Sequence, residues 1–454
     1  MLLKSKLYGK VYQFKSLYQM MAKAGPLKSG DQLIGTAAES ELERVAAKVA
    51  LADLLISDFR DNPAVPYEED EVTRIIQDDI NETIYKTIKN YSIGELREYI
   101  LDRRTTCRDI LHISRGLPAE AASAVSKIMN NLDLVYASQK IRVNTTCNTT
   151  LGMPKVLGTR LQANDPSDDP EGIRLGIFEG LSYGMGDICI GTNPIADTIE
   201  STTRILNVMH EEKMRLEIPT QTCFLSHITT QMECLKRGVP MDLIFESIGG
   251  TEKCNDIFGV NAKILYEATD MLKHYGTATG PNVLYFESGH GPETVNGTHY
   301  GVDQVTLEAR TFGFARHFNP FIINTITGFI GPEVEYNSVQ AARAAIENLF
   351  IGKLLGLPMG QDASFASHVH GEFSDIDSQV MMIALAGSNY FPVVPGGCEA
   401  TVGAIEPSFH DIGAVRELLG YRPIKEFEDW GRKWGIFDEN GHLTEQAGDA
   451  SIFM

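Results

Sequence analysis

Between about residues 159 and 394 two hydrophobic rhythms alternate along the chain. Short continuous apolar runs, clearest in Val283-Leu284-Tyr285-Phe286, read as strands of a parallel sheet buried on both faces. Longer stretches repeat apolar residues every three or four positions, as in Val339, Ala342, Ile346, Leu349 and Phe350, which is the spacing of a helix packed on one side. The pattern predicts strands at 159–162, 187–191, 220–225, 242–246, 282–287, 321–325, 354–362 and 388–394. Pro358 and Pro392 interrupt the last two, and proline is uncomfortable inside a central strand. Asp197 and Glu200 form a candidate capping box for the helix carrying Ile199, Ile205, Leu206 and Met209. Eight strand-helix units over about 240 residues fit a (β/α)₈ TIM barrel, typically about 250 residues long. A doubly wound sheet is the alternative, although it would gather its polar strand tips at one switch point.

The flanks differ from this segment. Residues 1–150 predict a mainly helical accessory domain, with Ser40 and Glu43 capping a run to Leu55, and further helices at 72–89, 92–101 and 119–131. Residues 151–420 form the barrel segment, and 421–454 a short helical tail.

Composition narrows the function. Lys and Arg number 40 and Asp and Glu 60, a net charge of −20. So acidic a chain repels phosphate backbones and anionic lipid, which argues against nucleic acid and membrane surfaces as partners. No apolar stretch approaches the roughly 20 residues a membrane span needs, and the N-terminus lacks the apolar core of a secretion signal. Seven scattered cysteines without a C-x-x-C pair suggest reduced thiols in the cytoplasm.

Candidate chemistry sits at strand ends, where an α/β barrel places its active site. Arg160, Gln162, Asn193, Glu246, Glu287 and Asp362 all fall there. Two carboxylates, Glu287 and Asp362, suit a protonated amine with its three N–H donors. Gln162 and Asn193 can both donate and accept. Arg160 shares a strand face with Gln162 and supplies a fixed positive charge. The pair His368 and His370 after Asp362 raises a metal-dependent hydrolase as a rival, but third and fourth ligands are not apparent and no metal site is expected. Phosphate-loop and nucleophile-elbow motifs are absent from the sequence.

Almost end to end, the residues resemble the large, catalytic subunit of ethanolamine ammonia-lyase. The resemblance rests on Tyr12-Gln13-Phe14-Lys15, Glu43-Arg44-Val45-Ala46-Ala47-Lys48, Arg160-Leu161-Gln162, Gly191-Thr192-Asn193-Pro194, Gly301-Val302-Asp303-Gln304, Gly328-Phe329-Ile330-Gly331-Pro332-Glu333 and Gly441-His442-Leu443-Thr444. It implies a TIM barrel whose mouth is covered by adenosylcobalamin, held against a separate small (light) subunit in a hetero-oligomer, with residence in a bacterial microcompartment a further implication. The implied reaction is radical migration of the amine of a small amino alcohol, followed by loss of ammonia to leave an aldehyde. By position, Glu287, Asp362, Asn193 and Gln162 become the amine ligands, with Arg160 and Gln162 toward the hydroxyl. Glu287, Arg160 and Asp362 are the implied catalytic residues, and Phe329 an apolar wall. Cofactor contacts carry over to Pro194, Glu246, Ser247, Phe258, Val295 and Thr401.

The resemblance weakens after Asp362. Where the family reads C-D-x-C-Y-T-N-H, this chain has Gln361-Asp362-Ala363-Ser364-Phe365-Ala366-Ser367-His368. Where it reads D-D-x-M-L-N-Y-Q-T-T, the chain has Cys398-Glu399-Ala400-Thr401-Val402-Gly403-Ala404-Ile405-Glu406-Pro407. The family's F-Q-S-I is here Phe245-Glu246-Ser247-Ile248, and its G-Q-G-S is Gly289-His290-Gly291-Pro292. Small residues at 401, 403 and 404 predict extra room at the mouth, and with it a lyase for a larger vicinal amino alcohol. A catalytically silent assembly subunit is the other alternative.

Overall fold

The computed structural model describes residues 1–327, 334–366, 369–401 and 403–454. Within them, the segment from 158 to 393 supplies β1 (Gly158–Gln162), β2 (Cys189–Thr192), β3 (Thr222–Phe224), β4 (Ile244–Ser247), β5 (Leu284–Gly289), β6 (Ile322–Ile326), β7 (Met359–Gln361) and β8 (Tyr390–Val393). They form two four-stranded parallel sheets, ordered β8-β1-β2-β3 and β7-β6-β5-β4. Two backbone bonds cross between the sheets: Leu243 N–H donates to Thr222 O at 3.3 Å, and Asn389 N–H to Met359 O at 3.0 Å. The architecture is mixed α/β, with the strands buried as their continuous apolar character requires.

The prolines explain where the expected strand bounds shift. The seventh strand is shorter than expected because the helix before it continues through Leu354, leaving Met359–Gln361. Pro358 stands just ahead of it, and its carbonyl accepts from Ile323 N–H. Pro392 lies inside β8 in register with Arg160. Proline gives no donor to a ladder, and the β7/β8 seam is one of the two places where neighbouring strands share no assigned ladder.

The principal helices after successive strands are α1 (Pro170–Ser182), α2 (Ile199–Arg215), α3 (Ile228–Lys236), α4 (Ala262–Tyr275), α5 (Gln304–Phe318), α6 (Ser338–Leu354), α7 (Phe373–Leu385) and α8 (Phe409–Leu419). Thr198, not Asp197, caps α2, its hydroxyl accepting from Ser201 N–H at 3.1 Å. Asp197 instead accepts from His227 N–H.

Residues before 145 form a hairpin (Lys4–Leu7 with Lys10–Gln13) and a layer of short helices. Ser40 caps Glu41–Ala52 as expected, while Glu43 reaches Glu39 N–H and not the cap. The expected 72–89 helix is two helices, Glu71–Asp78 and Glu82–Ile88, because Asn81 caps a fresh start. This layer is bolted to α5 and α6 by buried charges. Arg310 donates at 2.8 Å to each of Asp70, Glu120, Thr73 and the Gly250 carbonyl. Lys28 pairs with Glu347 at 2.8 Å, Lys127 pairs with Asp303, and Arg343 donates to the carbonyls of Ser126 and Met129.

At the other end, Lys425–Lys433 packs back through Trp430, whose indole N–H donates to Leu216 O at 2.8 Å. One hydrophobic core runs from Phe14 to Phe453. The loops after β7 and β8 meet in a small antiparallel ribbon of Phe365–Ala366, Ala404–Ile405 and Cys398–Glu399. Cys398 is exposed there, Cys107 is half-buried and the other five thiols are buried. Among the described residues no helix is long and apolar enough to cross a membrane.

Candidate active site

The C-terminal ends of β1, β2, β5, β6 and β7 bring the expected polar residues together. Arg160 and Gln162, two apart on β1, point the same way. One Arg160 Nη donates to Gln162 Oε1 at 3.1 Å and to Asn193 Oδ1 at 2.9 Å, and the guanidinium lies 5.5 Å from the centre of the Tyr285 ring. On the facing side, Asn324 of β6 donates to Glu287 and to Asp362, each at 3.0 Å. One amide thus holds two carboxylates side by side.

The ribbon adds two more. Gln162 Nε2 donates to Glu406 Oε2 at 2.6 Å, and Asn164 donates to Glu399. Because Arg160 can only donate, Gln162 must turn its Oε1 toward the guanidinium, which fixes the amide orientation.

Burial sets the electrostatics. It pushes the Glu287 carboxyl up from its ordinary value, with Arg160 opposing. Burial, then the neighbouring Glu287 charge, raises Asp362 to about 7. Burial, then Asp362, pushes Glu406 well above the usual carboxylate range. Such perturbed groups gathered at strand ends are the physical mark of a functional site. Several buried polar atoms here have no hydrogen-bond partner among the described residues: Arg160 Nε, Asn324 Oδ1, Asp362 Oδ1 and the hydroxyls of Tyr285 and Tyr390. Unpaired buried polar atoms are costly, so the cluster is built to receive a polar guest.

Beside it opens a cavity of about 490 Å³, with Glu287 on the shared wall. Of the residues expected to touch cofactor, Glu246, Ser247, Phe258 and Val295 line this cavity. Glu246 accepts from Ile228 and Ser247 N–H groups and is raised by burial to about 7. Pro194 and Thr401 do not line it. Pro194 follows Asn193, half-buried, while Thr401 bonds to Glu399 in the ribbon segment. Phe329 and His368 lie outside the described residues. His370 is exposed against Tyr336, and among the described residues no group of three or more side chains could hold a metal ion.

Sequence reasoning missed Asn324, Glu406, Glu399, Tyr285 and Tyr390 as members of the cluster. A polar residue within Ile322-Ile323-Asn324-Thr325-Ile326 was a signal for the first. The two ribbon acids carry none, since only the folding of distant loops brings them to β1.

Residues 12–446 match the family model "Ethanolamine ammonia lyase large subunit (EutB)". The ethanolamine ammonia-lyase large subunits of Escherichia coli K12 and Salmonella typhimurium LT2 are each 46% identical over 454 residues, covering 100% of both chains. The chain belongs to the ethanolamine ammonia-lyase large-subunit family.

Proposed function

We propose that the chain is the catalytic large subunit of an adenosylcobalamin-dependent lyase. It converts ethanolamine, or a related vicinal amino alcohol, to an aldehyde and ammonia. The observation that carries this reading is the pair Glu287 and Asp362, held by Asn324 at 3.0 Å each opposite Arg160. The pair receives the ammonium group, and charge-assisted bonds of this kind contribute about 1.5–3 kcal/mol each. Arg160, with its unpaired Nε, and Asn193 orient the hydroxyl. Glu287 borders both the cluster and the cavity. Its raised carboxyl can take up and return a proton as the amine changes basicity during migration. Burial of the cluster excludes water from reactive species.

The residues fit the expected cofactor. Ile248, Phe258, Pro292, Val295 and Ile326 give the cavity a largely apolar wall, suited to a flat organic group, and Glu246 and Ser247 add polar contacts. When bound, adenosylcobalamin supplies the radical that takes a hydrogen atom from the hydroxyl-bearing carbon. Glu246, Ser247, Phe258 and Val295 would hold part of the cofactor here, and a small-subunit partner would cover the rest. The two sheets, tied at both seams by backbone bonds, are read as one (β/α)₈ barrel over 151–420. Residues 1–150 then form a supporting layer and 421–454 a closing tail. Assembly with the small subunit, and residence in a microcompartment, belong to the same reading.

Identity spread over the whole of both relatives favours an enzyme over a silent subunit. An enlarged mouth is not favoured by the ribbon, where Ala404 is fully buried and Thr401 is bonded to Glu399. The test is to mix the protein with its small subunit, adenosylcobalamin and ethanolamine and to measure acetaldehyde and ammonia. Turnover that Glu287→Gln abolishes is expected. Retention of cofactor without product from any vicinal amino alcohol would overturn the reading.

A further inference from the structure

We propose that Glu308 is a positioning residue: from the helix layer it clamps the ends of β5 and β6, and so sets the spacing of Glu287, Asn324 and Asp362 at which the amine is held. This rests on the lyase reading for the ligand, an amino alcohol, though not for the clamp.

Glu287 and Asn324 are in register on neighbouring strands and both turn into the cluster. The next residues, Ser288 and Thr325, are also in register and therefore turn outward, to the helices. Glu308 on α5 meets both. Ser288 Oγ donates to Glu308 Oε1 at 2.6 Å, and Thr325 Oγ1 donates to the same oxygen at 2.9 Å. Asn348 on α6 adds a bond to Thr325 Oγ1 at 2.9 Å. Thr325 carries the grip on to β7, its carbonyl accepting from Asp362 N–H at 3.0 Å and from Gln361 Nε2 at 2.8 Å. Glu308, Ser288, Thr325, Asn348 and Gln361 are all buried.

The grip falls where the sheet is weakest. The β6/β7 ladder ends at Thr325 with Gln361, and the β5/β6 ladder ends one rung later, at Ile326 with Gly289. Beyond these rungs no backbone bond holds the strand tips together. Among the described residues, Asn324 is the only hydrogen-bond donor to the side chains of Glu287 and Asp362. One short amide reaches both only while the three strands keep their spacing, and a misplacement of about 1 Å can cost roughly 100-fold in rate. Burial pushes the Glu308 carboxyl up to about 7, with His290 opposing. Ionised or protonated, it keeps an oxygen that accepts from both hydroxyls, so the clamp depends on an acceptor and not on charge. Ser288 also lines the cavity beside the site, so the same oxygen ties the cavity wall to the amine cluster.

The experiment uses the complex with its small subunit. Calorimetric titration with ethanolamine, without cofactor, reads amine affinity; kcat/KM with adenosylcobalamin reads turnover; thermal unfolding reads stability. Glu308→Leu should weaken ethanolamine binding and kcat/KM each by roughly ten-fold or more. Glu308→Gln keeps a carbonyl oxygen for both hydroxyls and should stay within about three-fold of the unaltered protein. Ser288→Ala, which removes one of the two hydroxyls, should fall between them and serves as the test if Glu308→Leu fails to fold. In an Asn324→Ala background either damaging change should add little, because its effect passes through that amide. Lost stability with unchanged amine affinity, a Gln variant as weak as the Leu variant, or effects that add to those of Asn324→Ala overturn the proposal. Any of these beside normal ethanolamine turnover by the unaltered complex leaves the lyase reading intact. Ethanolamine that is bound but not turned over, with affinity lost in Glu308→Leu and kept in Glu308→Gln, supports the clamp and sinks the lyase reading.

Discussion

Asn324 does more for the site than its neutral amide suggests. It separates two carboxylates that would otherwise repel at close range, bonding each at 3.0 Å. Asn324→Ala should lower kcat/KM by roughly 10–100-fold, the equivalent of about one charge-assisted bond, with melting temperature as the control for folding. Asp362, raised to about 7 by burial and then by Glu287, must be ionised to hold an ammonium. On this ground kcat/KM should fall as pH drops below about 7, and Asp362→Asn should remove that limb along with most activity. The same shift has a stability consequence of opposite sense. A carboxyl raised in the folded state stabilises fully below its unfolded value, about 3.9. That contribution is lost as pH rises through about 7. Chemical denaturation of the protein across that range, with Asp362→Asn flattening the slope, checks the sign.

Elements hold these residues in place through buried charge. Arg310 on α5 bonds to Asp70, Glu120, Thr73 and Gly250, so Arg310→Ala strands two carboxylates in the interior. The expected loss is about 3–5 kcal/mol, read by urea or thermal unfolding. The loop after β5 is fastened by His290, whose Nδ1 lies 2.7 Å from Glu335 Oε1, both buried. Burial disfavours the charged imidazole, but Glu335 outweighs it and the His290 pKa is raised. Stability from this pair is thus complete below about 6.5, the ordinary histidine value, and declines as pH rises through the folded value. Unfolding of His290→Gln should show a weaker dependence in that window. A cap was legible where the side chain was unambiguous, as at Ser40. One was misread where two candidates adjoin, as at Asp197 and Thr198, because the choice depends on which one a neighbouring loop recruits.

At the scale of the molecule, the alternation of strand and helix was readable because parallel strands covered on both faces must be apolar throughout. Their polar tips stood out against that background, which is why Arg160, Gln162, Asn193, Glu287 and Asp362 could be found from sequence. Glu406 could not, for it enters through a ribbon whose pairing joins residues about 40 apart (Phe365 with Ile405) and leaves no periodic trace. On the lyase reading, the isolated large subunit should retain less adenosylcobalamin on gel filtration than the complex with its small subunit, followed by visible absorbance. The ribbon also carries the exposed thiol of Cys398, one position before Glu399, while Cys107 is half-buried beside the Arg142 carbonyl and the rest are enclosed. A maleimide fluorophore added to the folded protein will therefore attach first at Cys398. The most exposed thiol thus stands one position from Glu399, which Asn164 ties to the site, and a dye there can follow amine binding in real time without any turnover.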